Sequence, residues 1–235
     1  MTENLKDPNS LYIDRKSMLA LDACVSVCLK ASNHVALQSR TMVMLQHQSV
    51  AAVLLPQSLY IGLSIESLLK QGYLLSAAIL MRPMWERIGT AFYLKKNKPK
   101  IAAWRSNWNG KRPPSLKTLL DAIDGEIDEV RDVDGISTLH GLVHGNWEEM
   151  GCSISSQSSS QVGVSAGPIA DAPEHVDHFA LQTAIGCHVV AVAFRNFFPR
   201  HVSDCELSQP LNHANDLLLE AASQMLSEVG LDADD

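Results

Sequence analysis

Apolar residues recur at helical spacing along most of this chain, with no internal repeat and no βαβ alternation. Asp7-Pro8-Asn9-Ser10 gives a start signal, and Met18, Leu21, Val25, Cys28 and Leu29 follow on one helical face. That predicts a first helix to about Ala31, punctuated by Ser32-Asn33. A second runs from about His34 to Leu55 and stops near Pro56, or continues through that proline as one long kinked helix. The third, Gln57 to Lys70, puts Leu59, Gly62, Leu63, Glu66 and Leu69 on one face. Gly72 then ends it and turns the chain back antiparallel. Tyr73 to Lys95 is apolar on nearly every side and is the predicted central helix of a bundle.

Asn97 to Pro99 breaks the pattern before a short helix, Lys100 to Asn109, in which Trp104 and Trp108 stand one turn apart and would pack as a pair against the bundle. Asn109-Gly110 and Pro113-Pro114 mark a turn. Ser115 caps a helix with Leu116, Leu119, Leu120, Ile123, Ile127 and Val130 inward and a solvated acidic face outward. After a brief apolar segment, Ile136 to Val143, residues 152–173 turn rich in serine and glycine and are expected to be a flexible loop. Two further helices are predicted, Pro173 to about Phe198 and Ser208 to Val229, before an acidic tail at 230–235. The expectation is all-α: one multi-helix bundle over residues 1–235, with a long flexible Ser-rich loop before its last two helices.

Composition narrows the function. A 46% hydrophobic content fits a globular protein. A net charge of −7 argues against broad non-specific nucleic-acid binding, although Lys95, Lys96, Lys98, Lys100, Arg105, Lys111, Arg112 and Lys117 form one basic segment, either a solvated surface between helices or a local basic patch. Five cysteines without zinc-finger spacing suggest reduced thiols in the cytoplasm, Cys24 and Cys28 being small buried residues one turn apart. The N-terminus lacks a secretory pattern, and no uninterrupted apolar run reaches membrane-spanning length, so a soluble cytoplasmic protein is expected. No phosphate-cradling glycine loop, nucleophile elbow or paired-cysteine metal motif occurs, so no cofactor and no metal are expected.

Three constellations carry candidate chemistry. Arg82 and Glu86 lie one turn apart in the predicted central helix, within reach of Glu66 across the tight turn. They would be either a structural ion pair or an anion-gripping, acid–base centre. In LHGLVHGN, His140 and His144 have the i, i+4 spacing of metal ligands, but Gly141 replaces the glutamate of zinc peptidases. Asn146 completes this polar run. Arg195-Asn196 with His201 six positions after the arginine would grip and cleave a phosphodiester, arginine holding phosphate and histidine moving a proton. Pro199 falls between them.

On LLSAAILMRPMWER and LHGLVHGN, over about Ser58 to Asn146, the chain resembles the HEPN-like (higher eukaryote and prokaryote nucleotide-binding) helical superfamily, in an uncharacterised bacterial branch. The resemblance implies a compact helical bundle, usually a homodimer, in toxin–antitoxin and phage-defence systems. Active members are metal-independent ribonucleases with an arginine followed five to seven positions later by histidine. His144-Gly145 matches the histidine end of that motif, while the preceding arginine falls on Thr138 or Leu139. Arg195 to His201 keeps the formula outside the matching stretch. Catalysis would thus use Arg195, His201 and His144, and binding would use Arg82, Glu86, Glu66, His140 and Asn146. The competing expectations are a non-catalytic dimer or subunit of a defence assembly, and a small-molecule or nucleotide sensor.

Overall fold

The computed structural model describes residues 12–38, 40, 43–124, 126–127, 154–158, 161–164, 173–199 and 204–228. Among them are seven α-helices: α1 (Lys16–Gln38), α2 (Gln46–Lys70), α3 (Leu74–Lys96), α4 (Lys100–Arg105), α5 (Leu116–Asp124), α6 (Pro173–Phe197) and α7 (Asp204–Glu228). The all-α bundle expected from periodicity is what forms. Within the stretch expected to be a flexible loop, β1 (Ile154–Ser158) pairs antiparallel with β2 (Gln161–Val164), Ile154 opposite Val164. The rest of that stretch before Pro173, and the acidic tail, lie outside the described residues.

Helix boundaries differ from expectation where side chains override local signals. Ser32-Asn33 does not end α1, because Ala31 and Val35 on either side are both buried in the core. Pro56 sits inside α2, not at its end. Burial of Leu54, Leu55, Ser58 and Leu59 around it outweighs the missing backbone donor, leaving one continuous helix. At Gly72 expectation and structure agree. Its φ is 78°, Gly72 N–H donates to Leu69 O at 3.0 Å, and Tyr73 N–H donates to Leu68 O at 2.9 Å. This double closure satisfies the last carbonyls of α2 and sends α3 back antiparallel.

The centre of the bundle is α6. It packs against α1, α2, α3 and α7, and most of its residues from Val176 to Phe197 are buried. By contrast α3, expected to be central, buries one face: Leu74, Ala77, Ala78, Met81, Met84, Trp85, Ile88, Ala91 and Phe92. Its other side, with Ile79, is exposed. An apolar run shows that a helix wants neighbours, but not on how many sides it will find them. Two helices, Gln46–Lys70 and His175–Phe197, have the length and mean hydropathy (1.4 and 1.3) of membrane spans. In the most apolar stretch of the second 78% of the residues are buried, as in a core helix, and in that of the first 39%.

Side-chain links fix helix directions. Gln48 on α2 donates through Nε2 to the Phe197 carbonyl at 2.8 Å, so the start of α2 meets the end of α6. Arg15 and Ser17 meet Asp177, so α1 and α6 start together. The ends of α1, α3 and α6 and the start of α2 therefore share one end of the bundle.

Candidate functional site

Among the described residues, Glu66 does not join Arg82 and Glu86 in one site. Arg82 Nε donates to Glu86 Oε1 at 3.0 Å, with side chains 24% and 41% exposed, so this pair lies on the outer face of α3 and not in the core. The ion pair expected there forms, but outside the core, because the face shared by Arg82, Ile79 and Glu86 is the one α3 turns outward. Glu66 is held elsewhere. Lys70 Nζ donates to its Oε1 at 2.5 Å and lies 3.0 Å from Asp22 Oδ1 on α1. Burial raises the Glu66 carboxyl above its ordinary value, opposed by Lys70 and reinforced by Asp22. At Lys70 burial acts downward but the two carboxylates outweigh it, so its pKa is raised and it stays charged. One lysine thus serves two acids.

Sequence reasoning missed a second buried carboxylate. Asp177 is 7% exposed in the first turns of α6. It accepts from Arg15 Nε at 2.7 Å, from Arg15 Nη2, and from Ser17 Oγ at 2.5 Å. This bidentate arginine and hydroxyl satisfy a charge that would otherwise be costly to bury. The readable signal was a lone aspartate in an apolar helix. A cleft of about 410 Å³ lies beside it, lined by Tyr12, Asp14, Lys16 and Met225 among others.

The third cluster forms at the bundle end shared by α2, α3 and α6. Phe197 is its hub, with Phe92 edge-on at 5.5 Å and His47 tilted at 6.2 Å. Lys95 Nζ sits 5.3 Å from the Phe197 ring centre and donates to Glu126 at 2.5 Å. Burial lowers the His47 pKa, and Lys98 and Lys95 lower it further, so the imidazole senses a cationic neighbourhood. Arg195 stands half-buried in the last turn of α6, two residues before Phe197. The helix stops at Phe197, ahead of Pro199, as expected. His201, His140, His144 and Asn146 lie outside the described residues.

Beyond Lys95 the chain continues through α4 into a tight 3-10 turn, Asn107–Gly110, rather than the single helix expected to Asn109. Ser106 ends α4 by donating its hydroxyl to the carbonyls of Ala102 and Ala103 at 3.0 and 3.1 Å. Asn107, Trp108, Asn109 and Gly110 then take φ of 51°, 58°, 53° and 71°. For Trp108 this left-handed backbone is strained. Its ring packs on Tyr93 at 6.3 Å, which holds the turn to α3, and Trp104 and Trp108 both pack against the core, as expected. Ser115 caps α5 as expected, accepting from Thr118 N–H at 3.2 Å. Glu126, placed on a solvated face by periodicity, is engaged by Lys95.

Among the described residues, the three buried cysteines offer no nucleophile. Burial pushes the Cys24 thiol up to about 12 and raises Cys28 and Cys187 as well. All three are protonated at neutral pH and inert. Among the described residues no three His, Cys, Asp or Glu side chains are grouped to hold a metal ion. No family model, curated protein or solved structure matches this chain.

Proposed function

We propose that this is a HEPN-like helical protein of a bacterial toxin or phage-defence system, cytoplasmic and homodimeric, that binds RNA and cleaves it without metal. The single observation that supports it most is the cationic end of the bundle. Arg195 stands in the last turn of α6, where Lys95 lies over Phe197 and Lys98 acts on His47. An arginine on such an end holds a phosphate by charge-assisted hydrogen bonds, and His201, six positions on, supplies the proton transfer. His144 is the other candidate histidine.

Cleavage of RNA by the purified protein in excess chelator tests this, with wild type beside Arg195→Ala, His201→Ala and His144→Ala. We expect chelator-resistant cleavage that falls about 100-fold or more with Arg195→Ala and with one of the two histidine variants. Wild-type protein that binds RNA but does not cleave it would sink the catalytic half.

A second proposal is a non-catalytic dimer or subunit of a defence assembly. It is favoured by α2, whose most apolar stretch has a mean hydropathy of 1.4 with only 39% of its residues buried, and where Val53 and Tyr60 are 48% and 67% exposed.

A further inference from the structure

We propose that the segment from Lys96 to Arg112, comprising α4 and the left-handed turn, is an RNA-anchoring surface that takes the phosphate backbone and stands apart from the cleaving residues. This rests on the RNA-directed reading above and deepens it.

The charge distribution comes first. The chain has 26 Asp and Glu, yet none falls between Lys95 and Lys117, where eight Lys and Arg stand. The two flanking members are neutralised, Lys95 by Glu126 and Lys117 by Asp121. The six between them, Lys96, Lys98, Lys100, Arg105, Lys111 and Arg112, are exposed, and among the described residues none forms an ion pair. Six like charges within seventeen residues repel one another, and a polyanion relieves that repulsion.

The backbone comes second. A flexible loop would let such charges spread apart. Here Ser106 bonds Ala102, Ala103 and Asn109, and Trp108 is held to Tyr93, so α4 and its turn form a fixed platform. Backbone strain at Trp108 is tolerated where packing overdetermines it.

The chemistry of the partner follows from what the surface lacks. An amphipathic membrane helix inserts apolar side chains, and a protein interface centres on an apolar or aromatic core. None of the exposed large apolar side chains lies between Lys95 and Lys117, and both tryptophans are half-buried. A surface of cations alone fits a phosphate backbone, whose affinity is mainly electrostatic. Its position beside the Arg195 end suits RNA that runs from anchor to cleavage site.

Fluorescence anisotropy of a labelled single-stranded RNA with the full chain, between 50 and 200 mM salt, tests this. Six phosphate contacts give a log–log salt slope of about −4, so wild-type affinity falls about 300-fold over that range. Lys98→Gln with Lys100→Gln and Arg105→Gln halves the slope, giving a fall of about 20-fold. Lys111→Gln with Arg112→Gln, on the far side of the turn, lowers it by about 1.4. Thermal melts equal to wild type show that each variant folds. Variants that bind with wild-type affinity and slope overturn this surface while leaving the RNA-directed reading standing. A wild type that binds no RNA overturns both. Binding to anionic phospholipid vesicles that RNA does not displace assigns the surface to a membrane instead.

Discussion

Asp177 shows how this chain tolerates charge in its core. Its carboxylate is buried in the central helix of the bundle, and Arg15 and Ser17 reach it from the start of α1, across 162 and 160 residues of sequence. No local pattern reveals such a partnership, because the residues that satisfy the charge belong to another element. The next helical position has the opposite problem. His178 packs edge-on against Phe179 at 5.6 Å, and burial, then neighbouring His175, lower its pKa below 6.5. The unfolded chain therefore takes up a proton at a higher pH than the folded one. Stability from this group is complete above 6.5, falls as pH drops from there to the lower folded value, and then levels off. His47, lowered by burial and by Lys98 and Lys95, acts with the same sign. Urea unfolding at pH 7.5 and 5.5 checks this. We expect a lower midpoint at 5.5 and a smaller loss in His178→Gln. An equal or higher midpoint at 5.5 in the wild type contradicts it.

Between elements, Gly62, Gly89 and Gly186 set how closely helices approach. A Cβ at Gly89 would lie 2.6 Å from Leu119 Cβ and 2.9 Å from its backbone, so α5 crosses α3 where no side chain fits. A Cβ at Gly186 would lie 2.1 Å from Met84 Cε, the far end of a flexible side chain. The Leu119 backbone cannot swing aside, whereas Met84 can change rotamer. Gly89→Ala should therefore destabilise by about 2–3 kcal/mol and Gly186→Ala by about 1 kcal/mol or less, read from chemical denaturation. Equal costs would mean that α5 is free to shift away from α3. At this scale much was legible from the sequence. The apolar period located the helices, Gly72 marked the turn, Ser115 marked the α5 cap, and Pro199 marked the end of α6. What was not legible was which face met neighbours. Turning about 100° per residue from Arg82 grouped it correctly with Ile79 and Glu86, but nothing in that spacing says whether the face turns in or out. Lys70, one turn from Glu66, was the readable alternative partner.

For the whole molecule, the dominant feature is separation of charge. All 26 acids of the chain fall outside Lys95 to Lys117, while one bundle end gathers Arg195, Lys95, Lys98 and the cations of α4. A chain with net charge −7 is repelled by a polyanion at long range, so attraction confined to one end orients the approach. The composition concealed this, since a net charge sums the two ends together. Only the fold of α3 back along α2 brings Lys95 and Lys98 beside His47 and Phe197. The most direct measurement is ultraviolet cross-linking of the full chain to single-stranded RNA, followed by mass spectrometry of the cross-linked peptides. We expect them to come from Lys96 to Arg112 and from the last turn of α6 around Arg195. Cross-links confined to the other end, near Arg15 and Asp177, or the absence of any, would contradict an RNA-directed role for the basic end.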